Sequence, residues 1–282
     1  MAVTTCQARL VQLAPRLGAV AANLHRHLEA AERAASEGVE LVVFPELSLT
    51  GYFLRDLVPE VALRLDSAHF AELLDLSRKI HLVFGFVEES DAFELHCSAA
   101  YLAEGELKHL HRKLYLPTYG MFDEARYFSA GSCLQSFPTP WGPAGLVICE
   151  DLWHPSVPYV LSRQGMDLLI GIAASPFRGV EPGGPDIGQS YELMLGAYAE
   201  LFQCHVLFCN RVGCEDGISF WGGSRAISPL EGEIAVAPVF DETHLDVVLE
   251  RSHLRRARFA TPLLADERPE LLRRALEKMS HE

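Results

Sequence analysis

The chain has 282 residues, 49% hydrophobic and 22% charged, which supports a large buried core and excludes a disordered protein. Its formal charge of −14 opposes binding to phosphate backbones and anionic lipid, so neither nucleic acid nor a membrane is expected as a partner. No apolar run reaches the about 18 residues that a spanning helix needs, and the N-terminus lacks a basic segment followed by an apolar one, so the chain is expected to stay in the cytoplasm.

Strand-like and helix-like segments then alternate. Residues 8–13 predict a strand, and 17–37 a helix with Leu24, Leu28 and Ala31 at helical spacing and Gly38 as its stop. Residues 41–44 form a short apolar run typical of a strand buried on both faces. A helix at about 67–80 precedes strands at 82–88 and 98–104, which flank an acidic turn. Strand 146–148, helix 154–164, strand 168–173, helix 189–203 and strand 205–210 follow. A hairpin pairs 225–228 with 234–237 around Pro229-Leu230-Glu231-Gly232, and a strand at 246–250 and a helix at 268–278 close the chain.

Recurring hairpins predict mixed sheets rather than wholly parallel ones. No linker rich in Gly, Ser or Pro divides the sequence and no internal repeat is visible, so residues 1–282 are expected to form one domain, with about 251–282 as a packing or dimerisation tail. Residues 177–188 read as an irregular loop of a length often used for function.

Seven cysteines occur without any CxxC pair. Cys204, Cys209 and Cys214 are evenly spaced, but Cys204 and Cys209 fall on a strand-like run and should point to opposite sides, so no metal is expected there. Cys149 is different, because it stands at the carboxyl end of the buried strand Leu146-Val147-Ile148. Glu46 likewise follows a buried strand, and Lys113 ends a strand-like run. Reactive groups in α/β folds gather at such strand ends. A thiol must lose its proton to attack, so it needs a base or a positive neighbour. Glu46 suits the first role, and Lys113 suits the second and the developing oxyanion. No histidine stands in a comparable segment.

The segments FPELSLTGY (44–52), RKLYLP (112–117) and ICEDLW (148–153), in that order, resemble the nitrilase superfamily of carbon–nitrogen hydrolases. The resemblance runs down to Asn210-Arg211-Val212-Gly213 and Phe220-Trp221-Gly222-Gly223-Ser224. It implies an α-β-β-α sandwich of two mixed sheets, commonly paired through one outer layer into homodimers. It implies Glu46 as general base, Lys113 as oxyanion stabiliser and Cys149 as the acylated nucleophile, with no metal or organic cofactor. A second glutamate follows the lysine in many members; here it is Glu124, placed to orient Lys113 and the substrate.

Within that superfamily, LPTYGMFDEARYF (116–128) and CEDLW (149–153) look most like the glutaminase domain of glutamine-dependent NAD synthetases, which implies substrate contacts from Tyr119, Glu150 and Ser175. The synthetase half and its phosphate-binding GxxxxGK[ST] are not expected here. Glu150, Asp151, Glu215 and Asp216 would make the pocket mouth acidic and favour a substrate carrying an ammonium group, while Arg178 could face a substrate carboxylate. Glutamine-like amides and N-carbamoyl amines both fit. A glutaminase subunit feeding ammonia to a separate synthetase, a nitrilase, and a non-catalytic binding relative remain the alternatives.

Overall fold

The computed structural model describes residues 4–177 and 187–279. In chain order the first strands are β1 (Thr5–Gln12), β2 (Leu41–Val43), β3 (His81–Glu89), β4 (Leu95–Ala103), β5 (Glu106–Arg112), β6 (Phe137–Thr139) and β7 (Gly142–Ile148). They are followed by β8 (Leu168–Ala173), β9 (His205–Asn210), β10 (Val212–Glu215), β11 (Ile218–Trp221), β12 (Arg225–Ser228), β13 (Gly232–Val236) and β14 (Thr243–Glu250). The helices are α1 (Val20–Ser36), α2 (Val58–Val61), α3 (Ala68–Leu76), α4 (Ser156–Arg163), α5 (Ile187–Leu201), α6 (Arg251–Ala260), α7 (Leu263–Asp266) and α8 (Pro269–Met279).

One sheet has the order β14-β1-β2-β3-β4-β5 and the other β13-β12-β9-β8-β7-β6, while β10 and β11 form a separate hairpin. From β14 to β5 the pairings run antiparallel, parallel, parallel, antiparallel, antiparallel. From β6 to β13 they run the same way. The repeat that the sequence hides is therefore present in the topology.

Strand alternation decides the layers. On β3, Leu82, Phe84 and Phe86 face outward and join Leu24, Ala31 and Ala34 of α1 and Leu73 and Leu76 of α3. Val83 and Val87 face inward, in one cluster with Leu146, Ile148, Ile170 and Ile172 of the other sheet. Each such fully buried side chain contributes about 1.5–3 kcal/mol of transfer free energy. On the far face of the second sheet, Gly145 lies against Leu161 of α4, and Phe208 packs against Tyr191 of α5 at 4.6 Å between ring centroids. The result is the expected α-β-β-α order.

Predicted strands 168–173, 205–210 and 225–228 have the observed bounds, and most others differ by one to four residues at an end. Several differences have physical reasons. Helix 154–164 starts only at Ser156, because residues 149–153 first make a turn of 3-10 helix. The sequence reading did not foresee β6, with Pro138 at its centre, the hairpin β10–β11, or α6, where charged residues surround the only buried ones, Leu254 and Ala257. Helix α6 is tied down by Arg258, whose guanidinium meets Asp167 at 2.7 Å and the carbonyls of Met166 and Gln203. Helix α8 buries no residue. No helix among the described residues is long and apolar enough to cross a membrane.

Candidate active site

The chain turns sharply as β7 ends. Cys149 has φ 46°, in the left-handed region that non-glycine residues rarely occupy outside functional turns. Asp151 holds this turn. Its carboxylate, fully buried, accepts from the Ile148 N–H at 3.0 Å, the Leu114 and Tyr115 N–H groups at 3.0 and 3.1 Å, and lies 2.8 Å from His111 Nε2. One side chain thus ties the cysteine turn to the segment that follows Lys113.

Glu46 enters from the other sheet, on the loop after β2. Leu47, next to it, also has a left-handed φ of 47°. The loop runs so close to β3 that a Cβ on Gly85 would stand 2.4 Å from the Leu47 nitrogen and 2.7 Å from the Glu46 Cα, so only glycine fits. Glu46 Oε2 accepts from the Ala174 N–H of the second sheet at 2.7 Å. Its Oε1 accepts from Lys113 Nζ at 2.7 Å and from the Cys97 thiol at 3.6 Å. Lys113 Nζ donates again to Glu124 Oε1 at 2.7 Å, and the Tyr52 hydroxyl donates to that same oxygen.

Lys113, Glu46 and Glu124 are all buried. Burial alone would lower the Lys113 pKa, but Glu124 and Glu46 outweigh it and hold the ammonium well above its ordinary range. Glu124 is pushed up to about 7 by burial, with Lys113 opposing and Glu46 adding. Burial, reinforced by Glu46, pushes the Cys149 thiol well up, with Lys113 pulling the other way. The histidines nearest in sequence are engaged elsewhere: His111 with Asp151, and His154 stacked on Tyr115 at 3.4 Å.

A pocket at Cys149 is lined by Tyr119, Phe122, Glu150, Trp153, Ser175 and Tyr191, among others. The Tyr119 hydroxyl donates to both Glu150 carboxylate oxygens at 3.0–3.1 Å, and the Ser175 N–H donates to Asn210 Oδ1 at 2.9 Å. A larger cavity of about 540 Å³ borders Glu124 and Tyr52 but does not reach Cys149; reactive groups, not volume, locate the site. Arg178 lies outside the described residues.

The expected acidic mouth is corrected by this geometry. Asp151 is an internal brace. Glu215 is buried against Arg211 and accepts from the Tyr52 and Phe53 N–H groups, and Asp216 pairs with Arg55. Of the four carboxylates, only Glu150 lines the pocket with Cys149. Glu124 is not a solvated loop carboxylate beside Arg126, because Arg126 pairs with Asp123 and Glu124 turns inward. The sequence reading missed Tyr52, Gly85, Cys97, Trp153 and Tyr191. Tyr52 stood in the quoted FPELSLTGY, and Trp153 in ICEDLW; the other three carry no local signal. Cys204 and Cys209 do point apart, toward the Tyr198 carbonyl of α5 and the Val43 carbonyl of β2 respectively.

Comparison with known proteins gives the same picture. The profile described as carbon-nitrogen hydrolase matches residues 7–259. The glutamine-dependent NAD(+) synthetase of Acinetobacter baylyi is 34% identical over 236 residues, 83% of this chain and 42% of that protein. The protein of the same description from Thermotoga maritima is 33% identical over 90% of this chain and 43% of its own length. The chain thus spans less than half the length of these curated relatives. Among solved structures, Saccharomyces cerevisiae Nit3, described as a member of branch 10 of the nitrilase superfamily, superposes with a TM-score of 0.80 at 25% identity, covering 92% of this chain and 95% of that one. The ADP complex of glutamine-dependent NAD+ synthetase from Acinetobacter baumannii gives 0.78 at 28%, covering 89% and 46%. A profile match from residue 7 to 259, with relatives 33–34% identical over most of this chain, shows that the chain belongs to the carbon–nitrogen hydrolase family.

Proposed function

We propose that the chain cleaves the C–N bond of a small amide, glutamine-like or N-carbamoyl, through a thioester on Cys149, releasing ammonia. The observation that carries this reading is Lys113, held at 2.7 Å between Glu46 and Glu124 in the interior that Cys149 shares. Glu46 takes the thiol proton and sulfur bonds to the carbonyl carbon. The C=O pair moves to oxygen, where Lys113 and the Glu150 backbone N–H oppose the charge. Collapse breaks the C–N bond, and the proton held by Glu46 leaves on the amine as ammonia. Water, deprotonated by Glu46, then adds to the thioester; the C–S pair returns to sulfur, Glu46 gives its proton back to that sulfur, and the acid departs. Glu124 keeps Lys113 charged and aimed.

Substrate selection falls to Tyr119, Glu150 and Ser175. Glu150, steadied by Tyr119, would pair with a substrate ammonium, a charged hydrogen bond contributing about 1.5–3 kcal/mol. Glu150→Ala should therefore raise KM for glutamine-like amides by about tenfold or more, and change propionamide far less. Ammonia release from both classes measures this. Equal losses would reduce Glu150 to a brace of the nucleophile turn, and a wild type preferring neutral amides or nitriles would overturn the amino-substrate reading.

A second reading is a glutaminase subunit serving a separate synthetase. It is favoured by relatives that are named as glutamine-dependent NAD(+) synthetases and are 33–34% identical to this chain. Weak glutamine turnover by the isolated chain, with Cys149 still alkylated by a glutamine-like diazoketone, would support it; rapid turnover alone would not. A homodimer, with a second copy covering exposed apolar residues of α4, α5 and α8, completes the proposal.

A further inference from the structure

Tyr191, which the mechanism above leaves unused, stands at the nucleophile. It is almost completely buried on α5, with its hydroxyl 3.7 Å from the Cys149 sulfur. Its ring is fixed by Phe208 at 4.6 Å and Trp221 at 5.9 Å, with Trp153 edge-on at 5.3 Å. The Trp153 indole N–H donates to the Tyr191 oxygen at 3.2 Å, and Ser175 lines the same pocket.

An indole N–H can only donate, so Tyr191 is the acceptor in that bond and its own proton points elsewhere. A thiolate can only accept. Resting on the reading of Cys149 as nucleophile, we propose that Tyr191 is a further catalytic residue, whose O–H donates to the Cys149 sulfur whenever that sulfur is charged. The bond forms before attack, is released as the sulfur pair goes into the C–S bond, and re-forms when that pair returns on thioester cleavage. No proton is transferred, and Trp153 aims the hydroxyl.

The surroundings give such a donor its use. Burial disfavours the thiolate most, Glu46 and Glu124 add to that, and Lys113 opposes them. Glu150 and Tyr119 also line this pocket. Lys113 is shared between two carboxylates, whereas Tyr191 supplies a neutral donor that neither carboxylate draws away. Burial and the neighbouring Cys149 raise the Tyr191 pKa well above the ordinary phenol range, so its proton stays in place.

The test is the pH dependence of iodoacetamide addition to Cys149, read peptide by peptide by mass spectrometry, in wild type, Tyr191→Phe and Trp153→Phe. Tyr191→Phe should shift the midpoint upward by about one unit, a tenfold loss of thiolate at fixed pH, with kcat down about tenfold and KM within about twofold. Trp153→Phe should shift it the same way by less. An unchanged midpoint in folded Tyr191→Phe overturns the inference. If that variant fails to fold, an unchanged midpoint in Trp153→Phe, at a position 38% exposed, overturns it instead. Failure of the underlying reading looks different: Cys149→Ala would keep its turnover, or wild-type Cys149 would resist alkylation at every pH.

Discussion

Lys113 stands between two carboxylates, each 2.7 Å from its ammonium nitrogen, and this arrangement sets what single substitutions should do. Cys149→Ala should abolish turnover and keep the fold, since a small residue still fits the turn. Glu46→Gln and Lys113→Ala should each lower the rate about a hundredfold or more, the loss expected for a general base or an oxyanion donor. Steady-state ammonia release, with circular dichroism to confirm folding, measures all three; near wild-type turnover in any one removes that residue from the catalytic set. These three residues were legible because reactive side chains at strand ends are conspicuous in a sequence. Gly85, Cys97 and Tyr191 were not, because their roles depend on distances between strands and helices remote in the chain. Asp151 was legible as a charge beside the nucleophile, but three of the four donors around it, from His111, Leu114 and Tyr115, come from a segment remote in the chain.

At the scale of elements, α1 helps to seat the Glu46 loop. His27, fully buried on α1, lies 2.9 Å from the Ser48 hydroxyl and 2.7 Å from the Asn23 carbonyl oxygen. Burial, with Arg26 adding, pushes its imidazole down to about 4, against the Asn23 carbonyl. The folded value lies below the ordinary 6.5, so neutral His27 contributes stability that is present above about pH 6.5 and lost as pH falls toward 4. Urea unfolding should show about 2 kcal/mol less contribution at pH 5 than at pH 7.5, and His27→Gln should flatten that difference. An equal pH dependence in both proteins would mean that His27 is not the group responsible. Continuous apolar runs such as β9 could be read from the sequence to the residue. The short strands β10 and β11 and the charged helix α6 could not, because packing against the rest of the molecule creates them.

At the scale of the whole molecule, the outer helices carry several exposed apolar side chains. Leu193 and Leu201 of α5 are 68% and 54% exposed, and Met279 of α8 is 71% exposed, on the same helical face as Leu272. A stable partner interface covers about 800 Å² per copy, and these helices offer the surface for one. Light scattering behind a sizing column should give twice the 31.2 kDa chain mass, and Leu193→Glu combined with Leu272→Glu should return it to one. A monomeric wild type at micromolar concentration would remove the homodimer. The α-β-β-α layering was readable only through the family resemblance, since periodicity identifies strands but not which sheet each one joins.

Glu46 and Lys113 hang from one sheet and Cys149 from the other, and the Ala174 N–H reaches across to Glu46 at 2.7 Å. The proposed chemistry therefore straddles a seam, and turnover would act as a gauge of its alignment. A slip of one residue along a strand moves a side chain by about 3.3 Å, more than the 2.7 Å that separates Lys113 from each carboxylate and the Ala174 N–H from Glu46. In mild urea, activity should fade before the far-ultraviolet signal of the strands, and during refolding it should return last, after each layer has formed and only when the two have locked together.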